Sequence, residues 1–380
     1  MLMLMCCGGT GGHIYPAIAI AQTMQELIPD LEIRFVGGTG GFDEDLICRE
    51  GYPFHGIKIS GYNRSWRPKA ILSNIKTSIQ AFTSVKTAKR LLADLKPDLV
   101  VGTGGYACWP ALKAAARMGI PCAVHESNVN PGLAVRMLLK KMDRVFVNFE
   151  ETVQALKGRS NVERVGMPVR RTFSKIDRVE ARQTLGLRDD QKLIVSFGGS
   201  GGAEYLNEAV IRMMDLFSSR HSEIVHVHSA GKRNGVYEDA KNTFDRFGLG
   251  QHSNVMLKPF IYDMPVQMAA ADLVICRAGA MTISELALLG KSAILVPSPY
   301  VAGQHQYKNA MALADRGAAK VLFNEDETRF TGEEFASLAE QLIGDSSLRE
   351  EMSQKIKEFA LPDANARIAQ ELKKLLQGDE

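Results

Sequence analysis

The chain has 380 residues, 45% of them hydrophobic, which is long enough to bury the cores of two ordinary domains. A formal net charge of +3 over that length gives no case for nucleic acid, and no apolar run approaches the ~20 residues of a membrane-spanning helix. The six cysteines show no C-x-x-C spacing and several sit in apolar runs, so they read as buried, reduced thiols of a cytosolic protein.

The first apolar run, Met1 to Cys7, lacks the basic flank of a signal peptide and passes straight into Gly8-Gly9-Thr10-Gly11-Gly12-His13. It reads as a buried first strand. Further strands are expected at 32–36, 55–59, 98–102, 121–125 and 144–147, then at 192–197, 224–228, 254–257, 273–276, 292–296 and 319–322. Helical periodicity fits Tyr15–Glu26, Ala70–Leu95, Pro110–Arg117, Ala203–Ser218, Met264–Ala270, Thr282–Leu288, Gln304–Arg316 and Gly332–Ile343. Strands that are apolar throughout and alternate with helices predict parallel sheets covered on both faces. The tail after Ser346 reads helical, broken at Pro362.

Two more glycine loops follow apolar runs: Gly102-Thr103-Gly104-Gly105-Tyr106 and Gly198-Gly199-Ser200-Gly201-Gly202. Glycine admits positive φ and brings main-chain N–H groups close to a ligand. The helix that follows aims its positive end at the same place, so three such loops suggest phosphates on both substrates. The halves also repeat one another, each opening with strand, loop and helix. Two α/β, Rossmann-like domains joined at the Gly/Pro-punctuated link near Gly166 are expected, with parallel sheets facing across a cleft that holds the site. The boundaries are placed at 1–165, 166–345 and a tail, 346–380, that packs partly on the first domain.

Three other readings weigh less. A dinucleotide fingerprint counted from Gly9 needs a glycine at Ile14, and the second strand ends in Gly37-Gly38 with no acid for a ribose. Asp43-Glu44-Asp45 has the acid-x-acid form of a divalent-metal motif, but follows no apolar strand and reads as a helix start, where acids suit the dipole. His226 and His228 share a strand face without a third ligand at convincing spacing and read as a structural pair.

The segment Ala271–Glu285 is more specific. Ala278, Gly279 and Ala280 open a helix whose free N–H groups can take a diphosphate, and Glu285 lies within its first two turns. A carboxylate there can accept from both hydroxyls of a ribose; a surface glutamate is the alternative. The stretch from Gly56 to Ala93 carries Lys58, Arg64, Arg67, Lys69, Lys76, Lys86, Lys89 and Arg90 without one acid, interleaved with Trp66 and Phe82 among other apolar residues. It reads either as a surface that lies on an anionic bilayer or as a basic helix whose apolar stripe faces the core.

Loops Gly8–His13, Gly104–Pro110 and Gly198–Asn207 together resemble the MurG family. So do His125-Glu126-Ser127-Asn128 with Pro131-Gly132, the link Gly166–Arg170, Pro259–Met264, Cys276–Glu285, and Gln304-His305-Gln306 with Asn309. The resemblance is collinear over the whole chain. It departs at Gly201, Met167, Ser127 and Ala278, where the family usually has Gln, Asn, Gln and Ser. It implies a GT-B fold and an inverting, metal-independent transfer of GlcNAc from UDP-GlcNAc to lipid I, undecaprenyl-diphospho-MurNAc-pentapeptide, giving lipid II. No cofactor is expected.

The resemblance implies a donor site of Ser200, Ile261 (uracil, through its backbone), Ala280, Met281, Thr282, Ile283, Ser284 and Glu285 (ribose), with Asn128, Arg170 and Gln306 approaching sugar and phosphates across the cleft. It places Thr10, Gly11 and Gly12 at the edge of the donor sugar, and the acceptor diphosphate at Gly104, Gly105 and Tyr106. His13, at the loop tip, is the candidate base for the muramyl 4-hydroxyl, with a loop-orienting or helix-capping role as the alternative. A lipid-linked acceptor favours membrane docking through Arg64, Trp66, Arg67, Lys69, Lys76 and Phe82. The expected location is peripheral, on the cytoplasmic face of the bacterial cell membrane. The competing functions are a UDP-GlcNAc 2-epimerase of the same fold, another UDP-sugar glycosyltransferase, and a UDP-sugar sensor.

Overall fold

The structure is a computed structural model that describes residues 1–39, 42–59, 83–128, 130–156, 159–301 and 304–378. Two compact units divide the chain: Met1–Arg171 together with Leu361–Glu380, and Thr172–Ala360.

The first unit holds β1 (Leu2–Cys6), β2 (Glu32–Gly38), β3 (Phe54–Ile57), β4 (Leu99–Gly102), β5 (Cys122–Glu126), β6 (Arg144–Val147) and β7 (Val162–Arg164). They form one parallel sheet in the order β3-β2-β1-β4-β5-β6-β7. Every residue of β1, β4 and β5 is buried, which is why these runs are apolar without alternation. Helix Gly11–Leu27 starts four residues before the periodicity predicts, so His13 belongs to its first turn and is not at a loop tip. The neighbouring helix is Cys108–Met118.

The second unit holds β8 (Lys192–Phe197), β9 (Ile224–Ser229), β10 (Val255–Lys258), β11 (Leu273–Cys276), β12 (Ala293–Leu295) and β13 (Lys320–Val321) in the order β10-β9-β8-β11-β12-β13, again parallel. In each sheet the order reverses beside the first strand, between β1 and β4 and between β8 and β11. Parallel strands deliver all following loops to one edge, and the reversal opens a crevice there.

The tail divides between the units. Helix Ser346–Lys357 packs in the second, while Ala364–Gln377 returns to the first and lies on helix Gly11–Leu27. Asn365 fastens it by accepting from the Val169 N–H (3.1 Å) and donating to the Val169 carbonyl (2.7 Å), and Glu371 pairs with Arg144 at 2.9 Å. Among the described residues all six cysteines are free thiols, five buried and Cys48 exposed. No helix among the described residues is long and apolar enough to cross a membrane.

The two strand histidines form a closed polar chain in the second core. Ser218 Oγ lies 3.0 Å from His226 Nδ1, and His226 Nε2 lies 2.8 Å from Ser196 Oγ. Ser196 Oγ lies 2.8 Å from His228 Nδ1, and His228 Nε2 lies 3.1 Å from Asn207 Oδ1, while Asn207 donates to the Ala230 carbonyl. His228 Nδ1 also lies 3.1 Å from the Ser196 carbonyl oxygen, and Ser218 can donate to a neutral His226, which in turn donates to Ser196. Burial pushes His226 well below its ordinary value and His228 down to about 4.

Both rings stay neutral when folded but take protons when unfolded below about pH 6.5, so stability is full above that pH and is lost as pH falls toward 4. For His228 the loss amounts to roughly 3 kcal/mol. The urea midpoint of the second unit is expected to drop between pH 7 and 4.5, and a midpoint independent of pH would contradict the neutral chain.

Candidate active site

In the first unit, the loops after β1 and β4 interlock through their glycines. A methyl on Gly105 would lie 2.2 Å from the Gly8 carbonyl oxygen, one on Gly104 would lie 2.6 Å from His13 Nδ1, and one on Gly9 would strike the Tyr106 ring at 2.9 Å. Gly104 and Gly105 also adopt φ of +102° and +84°, a region other residues rarely occupy. The His13 ring thus lies on bare backbone. His13 Nδ1 is 3.0 Å from the Thr103 carbonyl oxygen, and Thr103 Oγ1 donates back to the His13 carbonyl at 2.6 Å. A carbonyl only accepts, so Nδ1 carries the proton and Nε2 is left with a lone pair. Burial lowers the His13 pKa from its ordinary value, opposed by the carboxylates of Glu126 and Asp43 and by the Thr103 bond.

Glu126, at the end of β5 and 3% exposed, organises the next loop. Oε1 accepts from the Asn128 N–H (2.8 Å) and Nδ2 (3.0 Å), and Oε2 from the Gly132 N–H (2.8 Å). Arg170, 7% exposed, places its guanidinium 4.0 Å over the Tyr15 ring. It falls in the first unit, with helix Gly11–Leu27. Asp43, read from sequence as part of a plain helix start, is 5% exposed and accepts the Gly9 N–H through both oxygens at 3.1 Å. Thr10, Gly11 and Gly12 begin the helix, and among the described residues the Gly11 and Gly12 N–H groups make no hydrogen bond.

In the second unit the loop after β8 is locked in the same manner. A methyl on Gly202 would lie 2.0 Å from the Ala230 carbonyl oxygen, and the Lys232 N–H donates to the Ser200 carbonyl at 3.0 Å. The Lys232 ammonium lies 4.8 Å from the ring centre of Tyr262 and 5.4 Å from that of Phe260. These two flank Ile261, which is 2% exposed. Helix Ala280–Leu289 opens from Gly279 with no side-chain cap, so the first-turn N–H groups of Ala280, Met281 and Thr282 are spare donors. Ile283 and Ser284 follow on that turn, and Glu285 is 6% exposed, which removes the surface-glutamate alternative. Gln306 accepts the Ser298 N–H at 2.9 Å, and Asn309 donates to the Ala278 carbonyl at 3.3 Å. Arg277 is held to the Val296 carbonyl (3.1 Å) and to the buried carboxylate of Glu327.

The expected residues therefore gather as two groups, each at the carboxyl edge of its own sheet. Asp43, Glu126, Lys232 and Glu327 were not singled out as site residues. The membrane residues Arg64, Trp66, Arg67, Lys69, Lys76 and Phe82 lie outside the described residues. From 83 to 95 the stretch is helical, and there the apolar stripe of Val85, Ala88 and Leu92 enters the core while Lys86, Lys89 and Arg90 are exposed. Among the described residues no group of three or more His, Cys, Asp or Glu side chains is placed to hold a metal ion.

Residues 3–147 match the glycosyltransferase family 28 N-terminal domain and residues 193–368 its C-terminal domain. With two parallel-sheet units, this defines a glycosyltransferase of the GT-B class. A Bacillus cereus protein is 36% identical over 377 residues, spanning 99% of this chain and all of the relative; one from Bacillus subtilis is 37% identical over 373 residues, spanning 97% and 98%. Both are named UDP-N-acetylglucosamine–N-acetylmuramyl-(pentapeptide) pyrophosphoryl-undecaprenol N-acetylglucosamine transferase. The crystal structure of Acinetobacter baumannii MurG superposes with a TM-score of 0.67 at 27% identity, covering 98% of this chain and 99% of that one. The UDP complex of S. aureus MnaA superposes at 0.70 with 15% identity, covering 99% and 97%, a likeness of fold alone. The chain belongs to the MurG family of N-acetylglucosamine transferases of peptidoglycan synthesis.

Proposed function

We propose that the enzyme transfers GlcNAc from UDP-GlcNAc to the 4-hydroxyl of the MurNAc of lipid I in one inverting, metal-independent displacement, yielding lipid II and UDP. The acceptor oxygen attacks the anomeric carbon, its proton passes to His13, and the anomeric C–O bond breaks to release UDP. The observation that carries the chemistry is the Nδ1–H of His13 tied to the Thr103 carbonyl, which fixes Nε2 as the basic nitrogen. Charge growing on the leaving β-phosphate meets N–H dipoles already in place at Ser200 and at the Ala280–Thr282 helix start. Glu285 takes the ribose hydroxyls and Ile261 the uracil edge. Gln306, Asn128 and Arg170 serve sugar and phosphate. Gly104, Gly105 and Tyr106 receive the acceptor diphosphate beside Thr10, Gly11 and Gly12. Incubation with UDP-GlcNAc and a lipid I analogue in EDTA is expected to give the β-1,4 disaccharide and UDP, and no product with a competent acceptor would refute the assignment.

The protein docks peripherally on the cytoplasmic face of the cell membrane through Arg64, Trp66, Arg67, Lys69, Lys76 and Phe82. A described surface of the same unit adds support. Lys113 lies over the Trp109 ring at 4.3 Å, and its pKa is lowered by burial and by the nearby cations Arg117 and Lys141, so positive charge accumulates there. Met137, four residues before Lys141, is 53% exposed.

His13→Ala is expected to cut kcat by roughly 10²–10⁴ while leaving the UDP dissociation constant nearly unchanged; a loss below tenfold would reduce the ring to a loop-ordering role. Glu285→Ala is expected to weaken UDP by roughly 30–150-fold through two lost charge-assisted bonds. Isothermal titration decides it, and an unchanged constant removes Glu285 from the site. Replacing Arg64, Arg67, Lys69 and Lys76 together by Gln should abolish most binding to anionic vesicles at low salt while sparing activity on a short-chain soluble acceptor. Parent-like vesicle binding by that variant would move the membrane face elsewhere.

A further inference from the structure

Asp43 opens helix Phe42–Arg49 beside Glu44, which is exposed, and Asp45, which is half-buried. Asp43 itself is turned inward. It accepts the Gly9 N–H with both oxygens, and a methyl on Gly8 would lie 2.6 Å from its carboxylate. Its helix N-terminus favours the charge, but burial still raises its pKa. A buried carboxylate is costly to keep for the sake of one turn, since a neutral acceptor would serve the same N–H group.

We infer that Asp43 is a positioning residue for the transfer reaction, its carboxylate holding the Gly8–Gly9 turn against the loop on which the His13 ring lies. This rests on the assignment of His13 as the base. The charged or titratable groups acting on His13 are Asp43 from helix Phe42–Arg49, and Glu126 and His125 from β5; Tyr106, Cys7 and Cys108 adjoin Asp43. Burial holds His125 near 4, so it is neutral. Glu126 has the larger effect on His13, and its oxygens hold the Asn128–Gly132 loop. Asp43 adds to it and is the carboxylate bonded to the first glycine loop. Removing its charge leaves burial less opposed, so the His13 pKa falls further and the ring becomes a weaker base.

The test is the pH profile of kcat/KM for a lipid I analogue between about pH 4.5 and 8, with UDP titration as a check on folding. Asp43→Asn keeps an oxygen for the Gly9 N–H and removes the charge. It is expected to move the acid limb down by roughly 0.5–1 pH unit and to lower the plateau roughly three- to tenfold. UDP affinity should stay within about twofold. Asp43→Ala, which also frees the turn, is expected to lose more kcat; if it fails to fold, Asp43→Asn alone carries the test. An unmoved acid limb in Asp43→Asn with intact UDP binding overturns the proposal. So does a loss of UDP affinity in step with kcat, which is the signature of general damage. His13→Ala separates the two assignments. If that variant stays active and its acid limb survives, the base assignment fails and takes this proposal with it; if the limb belongs to His13 yet ignores Asp43, only this proposal fails.

Discussion

A methyl on Gly105 would sit 2.2 Å from the carbonyl oxygen of Gly8, and one on Gly202 would sit 2.0 Å from that of Ala230. Backbone passing this close to backbone is the constraint on which the site depends. It forces glycine at those positions, draws each phosphate-type loop against its neighbour at the carboxyl edge, and leaves no space for the loop to relax. The N–H groups that remain spare, at Gly11 and Gly12 and at Ala280–Thr282, are held in place by this backbone packing. Dipoles fixed in advance stabilise developing charge without reorganising during the reaction.

Behind these loops the interior is polar where an ordinary core would be apolar. The Ser218–His226–Ser196–His228–Asn207 chain ends on the Ala230 carbonyl, the same group that Gly202 approaches. Arg277, at the close of β11, is clamped between Glu327 and the Val296 carbonyl. Buried polar networks give packing a direction, because each group must meet its partners in place. Both therefore register a strand end against the loop beside it, and a shift of either strand would break several bonds together.

Much of this was legible in sequence because central parallel strands are buried on both faces. Leu-Met-Leu-Met-Cys and Leu-Val-Ile-Cys admit few other readings, and the loops that follow them carry their glycines in plain view. Val162–Arg164 was missed since an edge strand with two charged residues looks like a loop, and Val236–Arg246 because its apolar positions are sparse. Asp43 was misread for a different reason. Acids at a helix start are ordinary, and only the fold brings residue 43 to residue 9. The one available hint was negative: β2 ends in Gly37-Gly38 without an acid, and the next acids stand just beyond. Arg170, read as part of the link to the second domain, lies on Tyr15 because the link runs on with the first unit.

The helix Ala364–Gln377 has a consequence for how the protein is made. Its buried residues Ala364, Ile368, Ala369 and Leu372 complete the first unit, whose last strand ends at Arg164. At a bacterial ribosome's pace, residues 172–360 take roughly 10–40 s to synthesise. Throughout that interval the nascent first unit lacks its closing helix, and the apolar flank of helix Gly11–Leu27 that will receive it stays bare. The amino-terminal unit of this enzyme thus stays open along that flank until residues 364–377 have been made.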